Sequence, residues 1–430
     1  MKDGGRLAAA IEVLTEVETR HRPVQVALKD WGAAHRFAGS GDRTVIGNLV
    51  FDALRNKSSL GARMTDGSPR GLVLATYCLT WGNGIDALTE VLAQDRHAPD
   101  PLSQQEMTAL TSEQPDTLTA AQRADVPDWL WPKFEAVFGE TAVAEGQALA
   151  TRAPVDLRTN TLKSDRDKVL KRLAHTGAIA TPLSPVGIRI DAKPGAGRMP
   201  HVQAEEGYRK GWFELQDEAS QLAALLAGAK SGDQVLDYCA GGGGKALAFA
   251  AAMQNKGQLY AFDADRLRLA PIHERLQRAG VRNAQVRDPA TTSLDDLVGQ
   301  MDLVFIDAPC TGTGVWRRRP DSKWRLTERA LADRVEDQRT VLEKASRYVR
   351  PGGRLAYATC SVLAEENQAQ AEWFLAENPD FRSTSARDVW QNLLPGTPEP
   401  AYVSERGDLL LTPASTSTDG FFVALFERTR

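Results

Sequence analysis

An α/β domain built on a parallel sheet and preceded by a helical region is the fold this sequence predicts, and three observations predict it. From Phe213 onward, apolar runs of strand length alternate with amphipathic helical stretches, the pattern of a parallel sheet covered on both faces. A glycine cluster, Cys239 to Lys245, lies between one such strand and the next helix. Two further strands run into cysteine motifs, Asp307-Ala308-Pro309-Cys310 and Ala358-Thr359-Cys360. In an open α/β sheet the carboxyl ends of neighbouring strands face one crevice, so the glycine loop and both thiols converge there.

Residues 1 to about 95 read as helical. Leu7, Ile11, Leu14 and Val17 share one helical face, and Asp42 offers an N-cap for a second helix that turns Ile46, Leu49, Val50, Ala53 and Leu54 inward. From His97 to Pro127 the chain becomes polar and is punctuated by Pro99, Pro101, Pro115 and Pro127, which reads as a linker. An amphipathic stretch follows at Trp129 to Phe138, then a small mixed unit with a strand at Val155 to Arg158 and a helix at Asp165 to Thr176.

In the α/β region the expected strands are Gln234 to Tyr238, Gln258 to Phe262, Ala284 to Val286, Leu303 to Ile306 and Arg354 to Ala358. The expected helices are Lys245 to Met253, Arg266 to Ala279 and Thr327 to Val349. Asp408 to Leu411 and Gly420 to Phe426 read as an antiparallel pair closing the sheet's edge. The domain division is 1–140 (with the linker at about 97–127), 141–210 and 211–430.

The composition of these 430 residues, 42% hydrophobic and 25% charged, is that of a water-soluble globular chain. No apolar run of about 18 residues is present, so the expectation is a cytoplasmic protein without a membrane segment. Cys78, Cys239, Cys310 and Cys360 form no C-x-x-C pair, which argues against a disulfide framework or a metal site. A net charge of −4 excludes a uniformly basic nucleic-acid coat but permits local patches. One contains Arg158, Lys163, Arg166, Lys168, Lys171 and Arg172; another, between Trp316 and Trp324, contains Arg317, Arg318, Arg319 and Lys323. Guanidinium groups beside tryptophans suit phosphate contact and base stacking.

Glycines at 241 to 244 let the backbone approach a ligand closely, and the helix start behind them offers unpaired N–H groups. A phosphate-cradling P-loop fits poorly, because Ala246 follows Lys245 where that motif needs Ser or Thr. Asp263 ends the next strand about 20 residues on, the spacing of a ribose-binding carboxylate, and Asp288 follows the third strand. Together these fit an adenosyl ligand, without choosing between S-adenosylmethionine and NAD.

Several motifs in order resemble the RsmB-type RNA (cytosine-5) methyltransferases. They are Phe213 to Gln221, Asp307 to Gly314, Arg318 to Trp324, Tyr357 to Ser361 and Glu365-Glu366-Asn367, joined by Asp156 to Lys163 and Thr418 to Phe422. The helical start resembles the NusB-like RNA-binding domain of the bacterial branch. The resemblance implies a class I (Rossmann-like) methyltransferase domain, an all-α NusB-like N-terminal domain and a small α+β RNA-binding subdomain. It implies S-adenosylmethionine held by Cys239, Ala240, Gly241, Gly242, Gly243, Gly244, Lys245, Asp263, Arg268, Asp288 and Asp307. It assigns Cys360 as the nucleophile at cytosine C6, Cys310 as the group assisting product release, and Asp307 as a contact to the base or cofactor. RNA contacts are expected at Arg158, Asn160, Lys163, Arg318 and Lys323, with Lys323 and Arg317 to Arg319 supplying the positive charge that activates a thiol. Gly242 departs from the family's proline and should loosen the cofactor loop. Cys78 reads as core and Cys239 as packing within the loop.

The expected partner is RNA, ribosomal or else transfer RNA, with no membrane, no metal and a monomeric chain. Two rival readings are an amino-group methyltransferase, which would place an aromatic where Cys310 stands, and a non-catalytic RNA-binding assembly factor that keeps the fold.

Overall fold

The computed structural model describes residues 1–112 and 117–430, so the linker proline Pro115 lies outside the described residues. The chain folds as two units. One comprises Met1–Ala153, Ala192–Pro200 and Trp316–Leu326; the other comprises Pro154–Asp191, His201–Val315 and Thr327–Arg430.

In the helical unit, the first helix, Asp3–Arg20, buries Leu7, Leu14 and Val17, while Ile11 is half-buried. The helix expected after Asp42 is the third, Ser40–Arg55, preceded by Val24–Ala34. Asp42 lies inside its first turn and reaches back to accept from the Gly39 N–H at 3.2 Å, so it caps from within rather than from the cap position. The stretch read as linker holds two short helices, Gln104–Thr111 and Ala120–Arg123. Capping boxes start both, Ser103 with Glu106 and Thr119 with Gln122, a local signal that the prolines overshadowed.

This unit extends past the expected boundary at 140. Helix Ala142–Leu149 buries Ala142 and Leu149, and Asn48 ties in residues 192–200 by donating to the Gly195 and Gly197 carbonyls at 3.0 and 3.1 Å. The basic stretch Trp316–Leu326 also belongs here. Trp316 stacks on Phe134 at 6.1 Å, Trp324 donates to the Leu54 carbonyl at 2.6 Å, and Arg317 and Lys323 are buried.

The other unit carries two sheets. In the smaller, antiparallel one, β1 (Val155–Thr159), β2 (Ile179–Ala180), β3 (Gly187–Ile190) and β4 (Phe213–Leu215) stand in the order β2-β3-β1-β4. Its last strand lies beyond the expected boundary at 210. The larger, 9-stranded sheet is built from β5 (Gln234–Asp237), β6 (Gln258–Phe262), β7 (Ala284–Arg287), β8 (Met301–Asp307), β9 (Val349–Thr359), β10 (Phe381–Thr384), β11 (Tyr402–Val403), β12 (Leu409–Leu411) and β13 (Phe421–Arg428). Its order is β11-β12-β13-β9-β8-β5-β6-β7, with β10 also paired to β13.

Strands β5 to β9 are mutually parallel, and β5 lies between β6 and β8. The direction of winding therefore reverses at β5, which opens a crevice at its carboxyl end. The glycine loop begins there.

The helix expected over Arg266 to Ala279 is broken into Arg266–Leu269 and Ile272–Ala279, because Pro271 has no N–H for the helical ladder. Strand β9 starts at Val349, earlier than expected, with a register shift opposite Met301 and Leu303. The terminal pair β12 and β13 is antiparallel as read. Strand β13 is internal, however, joined to β9 on one flank and to β10 and β12 on the other.

Candidate active site

Strands β8 and β9 run parallel with Asp307 opposite Ala358, so the residues just beyond them leave the sheet side by side. The Ala308 N–H donates to the Ala358 carbonyl at 2.9 Å, and the Gly314 N–H donates to the Cys360 carbonyl at 3.0 Å. These bonds bring the Cys310 and Cys360 sulfurs to 3.3 Å. The loop beyond Cys310 is fastened again at Gly314, whose carbonyl accepts from the Gly420 N–H at 2.8 Å. A Cβ on Gly314 would stand 2.1 Å from the Gly420 oxygen, so the contact admits only glycine.

Next to the thiols, Lys245 Nζ donates to Asp307 Oδ2 at 2.5 Å. Lysine reaches this point from the first turn of helix Gly244–Ala252, which starts at the end of the glycine loop. Gly241 and Gly243 have φ of 49° and 84°, a left-handed backbone that brings the loop N–H groups together. The Gly241 N–H donates to Asp263 Oδ2 at 2.9 Å, and the Asp265 N–H donates to Asp263 Oδ1 at 2.8 Å. The loop that Gly242 was expected to loosen is braced from outside. Arg275 donates to the Gly242 carbonyl at 2.5 Å, and Arg158 to the Gly244 carbonyl at 2.8 Å.

At the end of β5, Asp237 is 1% exposed, and neither carboxylate oxygen has a hydrogen bond of good geometry. Burial, then the nearby Asp307 charge, pushes its carboxyl up to about 8. An unpaired carboxylate beside a glycine cradle and the Asp263 carboxylate suits a ligand that carries both an ammonium and a ribose. The residues present therefore fit S-adenosylmethionine. Of the other residues expected here, Arg268 is exposed and 4.0 Å from Asp263, while Asp288 pairs with Arg266 at 3.1 Å. Burial, together with Asp263, Asp237 and Asp307, pushes the Cys239 thiol well up, consistent with a packing role.

The charges that act most strongly on the Cys310 thiol are not the expected cations. The Cys360 hydrogen bond, burial, and the Glu366 and Asp307 carboxylates push the Cys310 thiol well above the usual range, and all the charges in that set are acidic. Lys323, 1% exposed in the helical unit, instead donates to the Arg55 carbonyl at 3.1 Å, and burial lowers its ammonium to about 8. It does not face solvent.

Two further expected RNA contacts, Arg158 and Asn160, are also buried. Arg158 donates to Gln216 at 2.6 Å besides Gly244, and Asn160 donates to the Gly211 and Ala279 carbonyls at 2.8 and 2.9 Å. Both support the loop and sheet from inside. Lys163 is exposed, with its ammonium on the Arg278 carbonyl at 2.6 Å, and Arg318 is half-buried. Cys78 lies in the helical core as expected.

Sequence reading missed Asp237, Arg275 and Gln338. Asp237 was visible only as the polar end of an apolar strand, and nothing local marks the other two. Glu366 stood inside a recognised motif without a role.

The model of the 16S rRNA methyltransferase RsmB/F family matches residues 223–427, and that of the RsmF/B-like ferredoxin-like domain matches residues 126–195. Ribosomal RNA small subunit methyltransferase B of Sodalis glossinidius is 36% identical over 327 residues, covering 73% of this chain and 69% of that protein. The probable ribosomal RNA small subunit methyltransferase B of Synechocystis is 30% identical over 351 residues, covering 80% and 76%. Among solved structures, PH0851 superposes with a TM-score of 0.74 at 23% identity over 99% of both chains, a likeness of fold. A methyltransferase homolog from Pyrococcus horikoshii superposes with a TM-score of 0.60 at 27% identity over 73% of this chain and 99% of that one.

Proposed function

The chain belongs to the RsmB/F methyltransferase family, and from that premise we propose that it methylates carbon 5 of a cytosine in small-subunit ribosomal RNA, with Cys360 as the nucleophile. The observation that carries this reading is the 3.3 Å approach of the Cys310 and Cys360 sulfurs, on adjacent parallel strands, beside the Lys245–Asp307 ion pair and the glycine loop. Bound in that loop, S-adenosylmethionine supplies an electrophilic methyl group. Asp237, Asp263 and the backbone of residues 241 to 244 would hold it.

Cytosine C5 is a poor nucleophile until a thiolate adds at C6. As the Cys360 Sγ–C6 bond forms, the C5=C6 electron pair moves onto C5, which can then take the methyl group. Loss of the C5 proton re-forms the double bond, breaks S–C6 and returns Cys360 as a thiolate. Cys310 stands where it can accept that proton. While Cys360 is free, the hydrogen bond between the two sulfurs is the largest influence keeping Cys310 protonated. Once Cys360 is bonded to carbon, that influence is gone, so Cys310 ionises more readily, gives its own proton to water and, as the thiolate, can take the C5 proton.

Asp307, held at 2.5 Å by Lys245, is placed to receive the amino edge of the base. Of the expected RNA contacts Lys163 is exposed, and in the second basic stretch Arg319, next to the half-buried Arg318, is exposed; these would meet phosphate. Ribosomal RNA from cells with and without this protein, digested to nucleosides and analysed by mass spectrometry, tests the reading. Loss of one 5-methylcytidine from the small-subunit RNA is expected. Loss of an N-methylated base instead, or no change, contradicts it.

A further inference from the structure

Glu366 and Asn367, adjacent in the turn after β9, each clamp the chain around one of the two cysteines. Glu366 is 0% exposed. Its Oε1 accepts from the Thr311 N–H at 2.8 Å and from Gln338 Nε2 at 3.0 Å, and its Oε2 accepts from the Thr311 hydroxyl at 2.5 Å. Gln338 also donates to the Pro309 carbonyl at 3.0 Å, so the residues on both sides of Cys310 are tied to one buried carboxylate. Asn367 holds the other cysteine. It donates to the Ser361 carbonyl at 2.9 Å and accepts from the Thr359 hydroxyl at 2.5 Å. The Tyr357 hydroxyl, donating to the Glu366 carbonyl at 2.7 Å, anchors the turn to β9.

The two clamps differ in charge, and the difference is not needed for packing. A carboxylate surrounded only by donors is favoured as the anion, even though burial pushes the Glu366 carboxyl up. It therefore places a negative charge against the Cys310 loop, whereas the Cys360 loop is held by a neutral amide. The titratable groups that act on Cys310 include Cys360 and Tyr357 from β9, Glu366 from the turn and Asp307 from β8, whose charge is partly offset by Lys245.

We infer that Glu366 is a positioning residue that fixes Cys310 as the proton-bearing member of the pair and so leaves the nucleophilic role to Cys360. This rests on the proposed chemistry for its catalytic meaning, but the division of the proton between the sulfurs is a property of the protein without RNA. A like charge within a few ångströms disfavours a thiolate, and removing it should make Cys310 easier to ionise by about one pH unit or more. Without the carboxylate, the two sulfurs would compete for the same proton on more equal terms.

Site-resolved alkylation tests this without substrate. The full-length protein is treated with iodoacetamide across a pH series, and the alkylation rates of Cys310 and Cys360 are read by peptide mass spectrometry. In the unsubstituted protein, Cys310 is expected to alkylate only at pH values well above those of an ordinary thiol. In Glu366→Gln, which keeps the size of the side chain and one of its two acceptor oxygens and can turn its NH2 to the Thr311 hydroxyl oxygen, the Cys310 profile is expected to move down by about one pH unit or more. Glu366→Asp should restore part of the difference, and Asn367→Ala should raise both rates without moving the Cys310 midpoint. An unmoved Cys310 midpoint in a folded Glu366→Gln protein overturns the inference. So does a Cys310 midpoint no higher than that of an ordinary thiol in the unsubstituted protein, a result that needs no variant to fold. Either outcome leaves the nucleoside analysis free to support or reject the methylation reading by itself.

Discussion

Cys310 Sγ and Cys360 Sγ lie 3.3 Å apart although 50 positions separate them in the chain, because each leaves the carboxyl end of one of two parallel, directly paired strands. Sulfurs this close should couple when electrons are removed. Treatment with the thiol oxidant diamide is expected to join them in a disulfide, with loss of two hydrogens from the protein and reduction of the diamide to its hydrazine. Peptide mapping should find the 310–360 cross-link before any pair that includes Cys78 or Cys239. Preferential cross-linking through Cys239 would contradict the geometry.

Lys323 and Arg319 are four positions apart in one basic stretch, yet their surroundings predict opposite behaviour. Lys323→Met should lower stability by about 2 kcal/mol or more, since it removes the cation that favours the buried Asp125 carboxylate, while the salt dependence of RNA binding keeps its slope. Arg319→Ala should leave stability within about 0.5 kcal/mol and reduce the salt slope by about one. Thermal denaturation and RNA titration at several salt concentrations check both. A reduced slope for Lys323→Met would place that side chain on the RNA after all.

How much of this was legible in the sequence follows the locality of the signals. Alternating strands and helices, the glycine loop, Asp263 and both cysteine motifs depend on short-range pattern, and the sheet places them as that pattern requires. Burial of charge does not show in a local pattern. Arg158, Asn160, Arg317 and Lys323 look like surface cations and polar groups in sequence, but all four are buried, and the donors of Arg158, Asn160 and Lys323 serve carbonyls and side chains from distant segments. The same limit hid Arg275 and Gln338, whose partners are backbone carbonyls of residues 242 and 309. The helices within the expected linker carry two opposed local signals, prolines that break helices and capping boxes that start them, and the capping boxes prevail.

Asp237 should make the cofactor-free protein less stable as pH rises. Its native carboxyl titrates near 8, against about 3.9 in an unfolded chain, so between those values the native state holds a proton that the unfolded state has released. Stability therefore falls with rising pH across that window, and the loss is complete above about pH 8. Asp237→Asn removes this contribution. Its advantage in denaturation midpoint should grow from pH 5 to pH 8, reaching on the order of 2 kcal/mol. A constant difference across that range would show that Asp237 ionises normally.

Gly314→Ala should cost about 3 kcal/mol, because the new methyl meets the Gly420 backbone and no flexible side chain can yield. Denaturant titration measures it. A cost below about 1 kcal/mol would mean that the Cys310 loop can move away from β13 freely, and the spacing of the sulfurs would then lack its anchor.

The most direct measurement of the central claim is the mass of the covalent species formed when Cys310→Ala protein is incubated with small-subunit ribosomal RNA and S-adenosylmethionine. An adduct is expected that survives denaturing electrophoresis and that maps, after protease and nuclease digestion, to Cys360 joined to a methylated cytosine. An adduct formed by Cys360→Ala protein, or one mapped to any other side chain, contradicts it.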